Sequence, residues 1–291
     1  MSVVSRQALA VAKLPVFRSV TQAYSGVLGK PIALAKIAAL PTVVAAGMTY
    51  GYLLVPWQDD PLSIFYFGLL LVPLSYLGFA WLRFTLLGKE ARLLADRPWT
   101  GAYAVFFGHS LLWTLWLVGF PGFIVRVGTN LLLSHAEKPW EYYEQISDGT
   151  IPGLIWLVLL VVCVFPLGRL LLAAPAIAAG LGGSPLIAWR RGSGSGLRLG
   201  CALILVALTL LVLESFGIFL LALVVRLLSS LLDLTIDPAL EEAVMSIGTA
   251  SILLFGALFG SAVFAELLAF AFRHLTGWLF DRDRTILERF E

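Results

Sequence analysis

Charge is scarce in this chain. Only 13% of residues are Asp, Glu, Lys or Arg, while 59% are apolar and the mean hydropathy is +0.92. A soluble domain is about a quarter charged, so the deficit excludes an ordinary globular protein and points to a polytopic membrane protein. Cysteine and histidine are scarce as well. Cys163 and Cys201 stand alone in apolar runs, so there is neither a disulfide framework nor a CxxC metal pair. Three histidines in three separate regions give no metal site, and no cofactor is expected. Strand-like alternation with turn spacing is missing, which argues against a barrel. HExxH, GxSxG and the paired-aspartate signatures of membrane phosphotransferases are also missing, so no catalytic residue is assigned and no enzyme is expected.

Long apolar runs are what the chain has instead. A bilayer core takes about 20 apolar residues in a helix. Six segments qualify, roughly 37–56, 62–82, 102–125, 151–178, 199–225 and 243–272. Residues 1–36 precede the first run and carry Arg6, Lys13, Arg18, Lys30 and Lys36. That leader is too long and basic for a signal peptide and shows no clear cleavage site, so the first span is expected to be retained. Basic residues favour the cytoplasmic side of a membrane. Here they gather in the leader, at Arg83, Lys89, Arg92 and Arg97, at Arg190, Arg191 and Arg198, and at Arg273, Arg282, Arg284 and Arg289. The opposite side keeps only Arg126, Lys138 and Arg226 and collects acids such as Asp59, Asp60, Glu241 and Glu242. Both termini are therefore expected in the cytoplasm.

The expected fold is all-α: six transmembrane helices in three hairpins, residues 37–275, behind an amphipathic N-terminal helix. Residues 1–36 suit an interfacial helix interrupted near Pro15, because Leu9, Leu14, Val16 and Phe17 would be poorly placed in water; a disordered basic tail is the plainer alternative. Residues 276–291 form a charged tail. The outer loop 126–150 offers Trp140, Tyr142 and Tyr143 as interfacial anchors. Its His135 and Glu137 do not make a metal-ligand pattern.

"GGSPLIAWRRGSGSGLRLG", residues 182–200, has the look of a phosphate cradle. A Walker loop needs a lysine, and none follows Lys138; a dinucleotide fingerprint needs a preceding strand and a third glycine at the right spacing. The stretch reads as a flexible basic loop between hairpins, in which Arg190, Arg191 and Arg198 can grip an anionic lipid headgroup. Three span ends also look alike: "AWLRFTLLG" at 80–88, "AWRRGSGSG" at 188–196 and "AFRHLTG" at 271–277.

Ionisable groups within spans are costly and mark function by default. Arg169 and Glu266 lie about 27 and 35 Å from the outer ends of their spans, and His109 about 10 Å from the cytoplasm. An Arg169–Glu266 pair is matched in depth, with His109 nearby; a merely structural or snorkelling pair is the plainer alternative. Glu214, about 22 Å from the cytoplasmic start of its span, is a poor partner for Arg169. Pro166 and Pro175 interrupt the fourth span and can break it.

Taken in order, "FAWLRFTLLGKEARLL", "GRLLLAAPAIAAG", "SPLIAWRRGSGSGLRLG" and "ELLAFAFRHLTG" resemble a family of uncharacterised bacterial inner-membrane proteins with about six spans. That family is similar in outline to the membrane domain that precedes some glycerophosphodiester phosphodiesterases. The likeness covers residues 79–277, and Arg83, Arg169, Pro175, Trp189, Arg191 and Gly277 are the family-like positions. "RRGSGS" departs from the family's TRGN, and Phe272 stands where tyrosine is usual. The resemblance implies the fold and an inner-membrane location, and the phosphodiesterase activity is not expected to carry over. The expected function is a non-catalytic accessory, assembly or lipid-organising subunit, with membrane lipids and a membrane protein as partners and no nucleic acid. The alternative is a small-molecule or lipid transporter or channel with its site at the broken fourth span.

Overall fold

The computed structural model describes residues 14–54, 60–88, 99–120, 123–124, 127–128, 150–180, 194–231 and 238–276. All elements among these are helical. We number them α1 (Val16–Leu28), α2 (Pro31–Leu54), α3 (Asp60–Leu87), α4 (Trp99–Thr114), α5 (Thr150–Leu170), α6 (Ala173–Ala178), α7 (Gly196–Leu231) and α8 (Pro238–Thr276). The loop anchors Trp140, Tyr142 and Tyr143, the positions Trp189 and Gly277, and most of the tail lie outside the described residues.

Five stretches are long and apolar enough to cross a membrane: Pro31–Leu53, Gly68–Leu87, Val161–Ala178, Gly196–Ser230 and Leu240–Leu275. The third expected span, 102–125, does not reach that length as one regular helix. Its α4 runs into a π-helical turn, Leu115–Gly119. The first span begins earlier than the apolar run suggests. Pro31 opens α2, where its missing N–H costs no helical hydrogen bond, and this brings Lys36 inside the helix.

The fourth span breaks where one of its prolines requires. Pro166 stays within α5. Pro175 has no N–H to offer the Leu171 carbonyl, and that carbonyl instead accepts the Ala174 N–H at 3.0 Å, a tighter turn that separates α5 from α6. Gly180, at φ 78°, then ends α6 in the left-handed conformation that favours glycine.

α8 is the centre of the bundle and packs against α1, α2, α3, α6 and α7. Small side chains permit this, since Ala262, Ala265, Ala269 and Ala271 are all buried on it and let neighbouring backbones come close. α1 belongs to the same core. Ser19, Ala23 and Val27 recur every fourth residue and bury one face against α8 and α7, while Phe17 on the other face is 79% exposed. The Tyr24 hydroxyl donates to the Val206 carbonyl of α7 at 3.2 Å. Burial pushes that phenol above its ordinary pKa, with a hydrogen bond to Thr209 opposing the rise.

Of the glycines of the 182–200 stretch that fall within the described residues, Gly196 and Gly200 serve helix packing, and Gly194 takes the left-handed conformation at φ 86°. A Cβ on Gly168 of α5 would stand 2.9 Å from the Gly196 carbonyl and 3.1 Å from the Gly200 nitrogen, so α5 and α7 cross backbone to backbone. Gly196 also lies under the aliphatic stem of Arg169.

Candidate functional site

Among the described residues, a buried polar group with several partners is Glu266, on α8 and only 6% exposed. A carboxylate at that depth needs donors, because an unpaired buried charge is costly. α3 supplies two of them one helical turn apart, so both reach the same oxygen. The Trp81 indole N–H donates to Oε2 at 2.8 Å, and the Thr85 hydroxyl donates to Oε2 at 2.7 Å. Oε1 faces Lys30, whose Nζ lies 3.7 Å away from the short link between α1 and α2. The same ammonium stands 5.7 Å from the centroid of Phe84, and that ring packs beside Trp81.

Two backbones close the cluster. A Cβ on Gly26 of α1 would come within 2.6 Å of Glu266 Oε1, so only glycine lets α1 lie over the carboxylate. Arg273, two turns on from Glu266 in α8, donates to the Thr85 backbone carbonyl. One glutamate thus ties together α1, the α1–α2 link, α3 and α8.

This arrangement holds helices together. Thr85 and Glu266 have the form of a nucleophile and a base, but both are buried and the carboxylate oxygen is shared with an indole. Among the described residues no group of three metal-ligating side chains comes together.

The residues singled out from sequence scatter around this cluster. Lys30, which depth alone does not point to, makes an ion pair with Glu266. Arg169 ends α5 with its stem on Gly196, at the start of α7. His109 is on α4, with Nδ1 2.8 Å from the carbonyl of Val105 and its ring edge-on to Trp113. Its contacts are therefore within its own helix. Arg198 reaches the Leu14 carbonyl ahead of α1 at 3.5 Å. Arg190 and Arg191 lie outside the described residues. The family-like Arg83 donates to the Ala178 carbonyl at the end of α6, at 3.4 Å, and stands over the Phe79 ring.

Trp81, Thr85, Lys30 and Gly26 are the site residues that depth reasoning missed. Trp81 and Thr85 sit within the repeated span-end motif, and Arg273 within its counterpart near the C-terminus. The repeat therefore marks where two helices meet around one carboxylate. No family model, no curated protein and no solved structure matches the chain.

Proposed function

We propose that the protein is a non-catalytic, multi-pass protein of the bacterial inner membrane, an accessory, assembly or lipid-organising subunit. The observation that carries this reading is the closure of the Glu266 cluster. Its carboxylate is engaged by Trp81, Thr85 and Lys30, so it joins helices instead of facing a path for solutes. Transport would require Arg169, Glu266 and His109 to share a wet cavity. The separate contacts of Glu266 and His109 favour the accessory role.

In this reading the five long apolar helices and α4 with its π turn make six crossings in three hairpins. From Trp99 to the end of the π turn the chain rises about 30 Å, enough for a bilayer core. Lys30, Arg83, Arg198 and Arg273 all make contacts at the end of the bundle where α3 and α8 finish. That basic end faces the cytoplasm and its anionic lipids, with both termini on the same side. A broad apolar exterior is left for lipid or a neighbouring membrane protein. Val43 of α2 is 70% exposed and Val212 of α7 is 65% exposed.

Native mass spectrometry of the protein extracted from its own membrane tests the reading. A stoichiometric protein partner or a set of retained lipids is the expected result. A lone protein holding one water-soluble molecule would overturn it in favour of transport.

A further inference from the structure

A second glutamate lies between α7 and α8, and its surroundings differ from those of Glu266. Glu214 borders a groove of ≈ 330 Å³ walled by Leu210, Leu211 and Phe264 and floored by Gly256 and Gly260. Its Oε1 occupies the place a Cβ on Gly256 would need, so the missing side chain is what admits the carboxyl group. Among the described residues Glu214 makes no hydrogen bond or ion pair. Ser261, at the groove's edge, donates its hydroxyl to the Ala257 carbonyl at 2.8 Å, which leaves its oxygen as an acceptor. The groove thus offers acceptors set in apolar walls and asks for a donor.

Depth narrows what that donor belongs to. Arg198 and Arg226 bracket α7 about 42 Å apart, the thickness of a bilayer with its headgroups. Glu214 lies about 24 Å from the first and 18 Å from the second, close to the midplane. Charged headgroups stay at the interfaces, so a phospholipid does not bring a donor to this level. A neutral lipid with a free hydroxyl reaches it at a far smaller cost, because no charge has to leave water and the hydroxyl gains an acceptor there. Access is lateral, since Leu211 and Phe255 beside the groove are 58% and 70% exposed.

We propose that the Glu214 groove binds a neutral lipid alcohol, an acylglycerol or a long-chain alcohol, whose hydroxyl donates to the carboxyl group while its chain lies along Leu211 and Phe264. This rests on the membrane-spanning reading above and not on the accessory role. The test places the full chain in phosphatidylcholine–phosphatidylglycerol vesicles with hexadecanol carrying a photoreactive diazirine in its chain. Its methyl ether and a phosphatidylcholine with the same diazirine serve as comparisons. Hexadecanol is expected to label peptides covering 207–214 and 256–264 about tenfold more than the ether, the worth of one hydrogen bond to a carboxyl group.

Competition by unlabelled dioleoylglycerol would identify acylglycerols as the better ligand, and its failure would assign the site to simple alcohols. Gly256→Leu with Gly260→Leu is expected to abolish the preference by filling the groove, and Glu214→Leu by removing the acceptor. Equal labelling by alcohol, ether and phospholipid in the unaltered protein would overturn the proposal, leaving ordinary acyl contact. No labelling by any of the three would instead show that the chain is not in the bilayer, and both readings would fall.

Discussion

Glu266 and Glu214 are both membrane-depth glutamates backed by a glycine of a neighbouring helix, yet they have opposite surroundings. Glu266 touches Gly26 and is enclosed by an indole, a hydroxyl and an ammonium. Glu214 touches Gly256 and opens on a groove without a protein partner among the described residues. The difference follows from the helices around them. α8 is packed on several sides near Glu266, and 56% of its crossing stretch is buried, whereas only 17% of the corresponding stretch of α7 is. A glycine beside a carboxylate therefore acts as a clasp where a third helix closes over it, and as an opening where none does.

The largest effect expected from breaking this contrast is at Glu266. Replacing it by Leu leaves Trp81 and Thr85 without an acceptor and Lys30 without a counter-ion. Each buried donor left unsatisfied costs about 1–3 kcal/mol, so the two together cost roughly 3–5 kcal/mol, with little added from the half-exposed Lys30. In a chain of this size that lowers the unfolding midpoint by roughly 10 °C. Thermal unfolding of the purified protein, followed by loss of monodisperse elution, checks this; a midpoint unchanged by Glu266→Leu would deny the clasp.

Next in size is the pair Gly26→Ala and Gly256→Ala. At Gly26 the new methyl meets a carboxylate held by fixed donors, so α1 or the glutamate must give way, costing about 1–3 kcal/mol. At Gly256 the methyl meets a carboxyl group with no fixed donors, which can swing into the groove, and a cost of about 0.5 kcal/mol is expected. A larger loss at Gly256 than at Gly26 would reverse the comparison.

Much of this architecture is legible in the sequence, and what is not has a physical cause. Apolar length alone marks the crossing helices, because a run near 20 residues has few other uses. The break ahead of Pro175 follows from a missing N–H. The pairing of Lys30 with Glu266 is not legible when depth is counted along each span separately. That count leaves Lys30 outside the membrane, in a segment read as a surface helix. The docking of α1 through Ser19, Ala23, Val27 and Gly26 carries Lys30 back onto α8. Its signal, small residues at every fourth position, is weaker than an apolar run and is easily hidden among basic residues. Trp81 and Thr85 were visible as a motif, but aromatics and bases at a span end have an interfacial explanation that needs no partner.

Lys30 gives a smaller test of how closed the clasp is. Its side chain is 42% exposed, so water screens much of its attraction for Glu266. Lys30→Met should therefore cost about 1 kcal/mol or less, well below Glu266→Leu. If the two losses match in unfolding measurements, the ammonium and not the α3 donors holds the carboxylate.

The smallest effect is expected at Glu214, and its sign carries the information. Glu214→Leu removes a carboxyl group that has no protein donor and fills the space over Gly256 with an apolar side chain of similar length. Nothing in the fold is left unsatisfied, so the lipid-free protein should stay within about 0.5 kcal/mol of its original stability, on the stabilising side. Added hexadecanol should raise the unfolding midpoint of the unaltered protein and leave that of the variant unmoved, since a ligand stabilises only the form that binds it. A clear loss of stability in the variant without lipid would mean that Glu214 has a structural role after all. The two glutamates would then be two clasps of unequal strength, and the contrast between a closed and an open site would disappear.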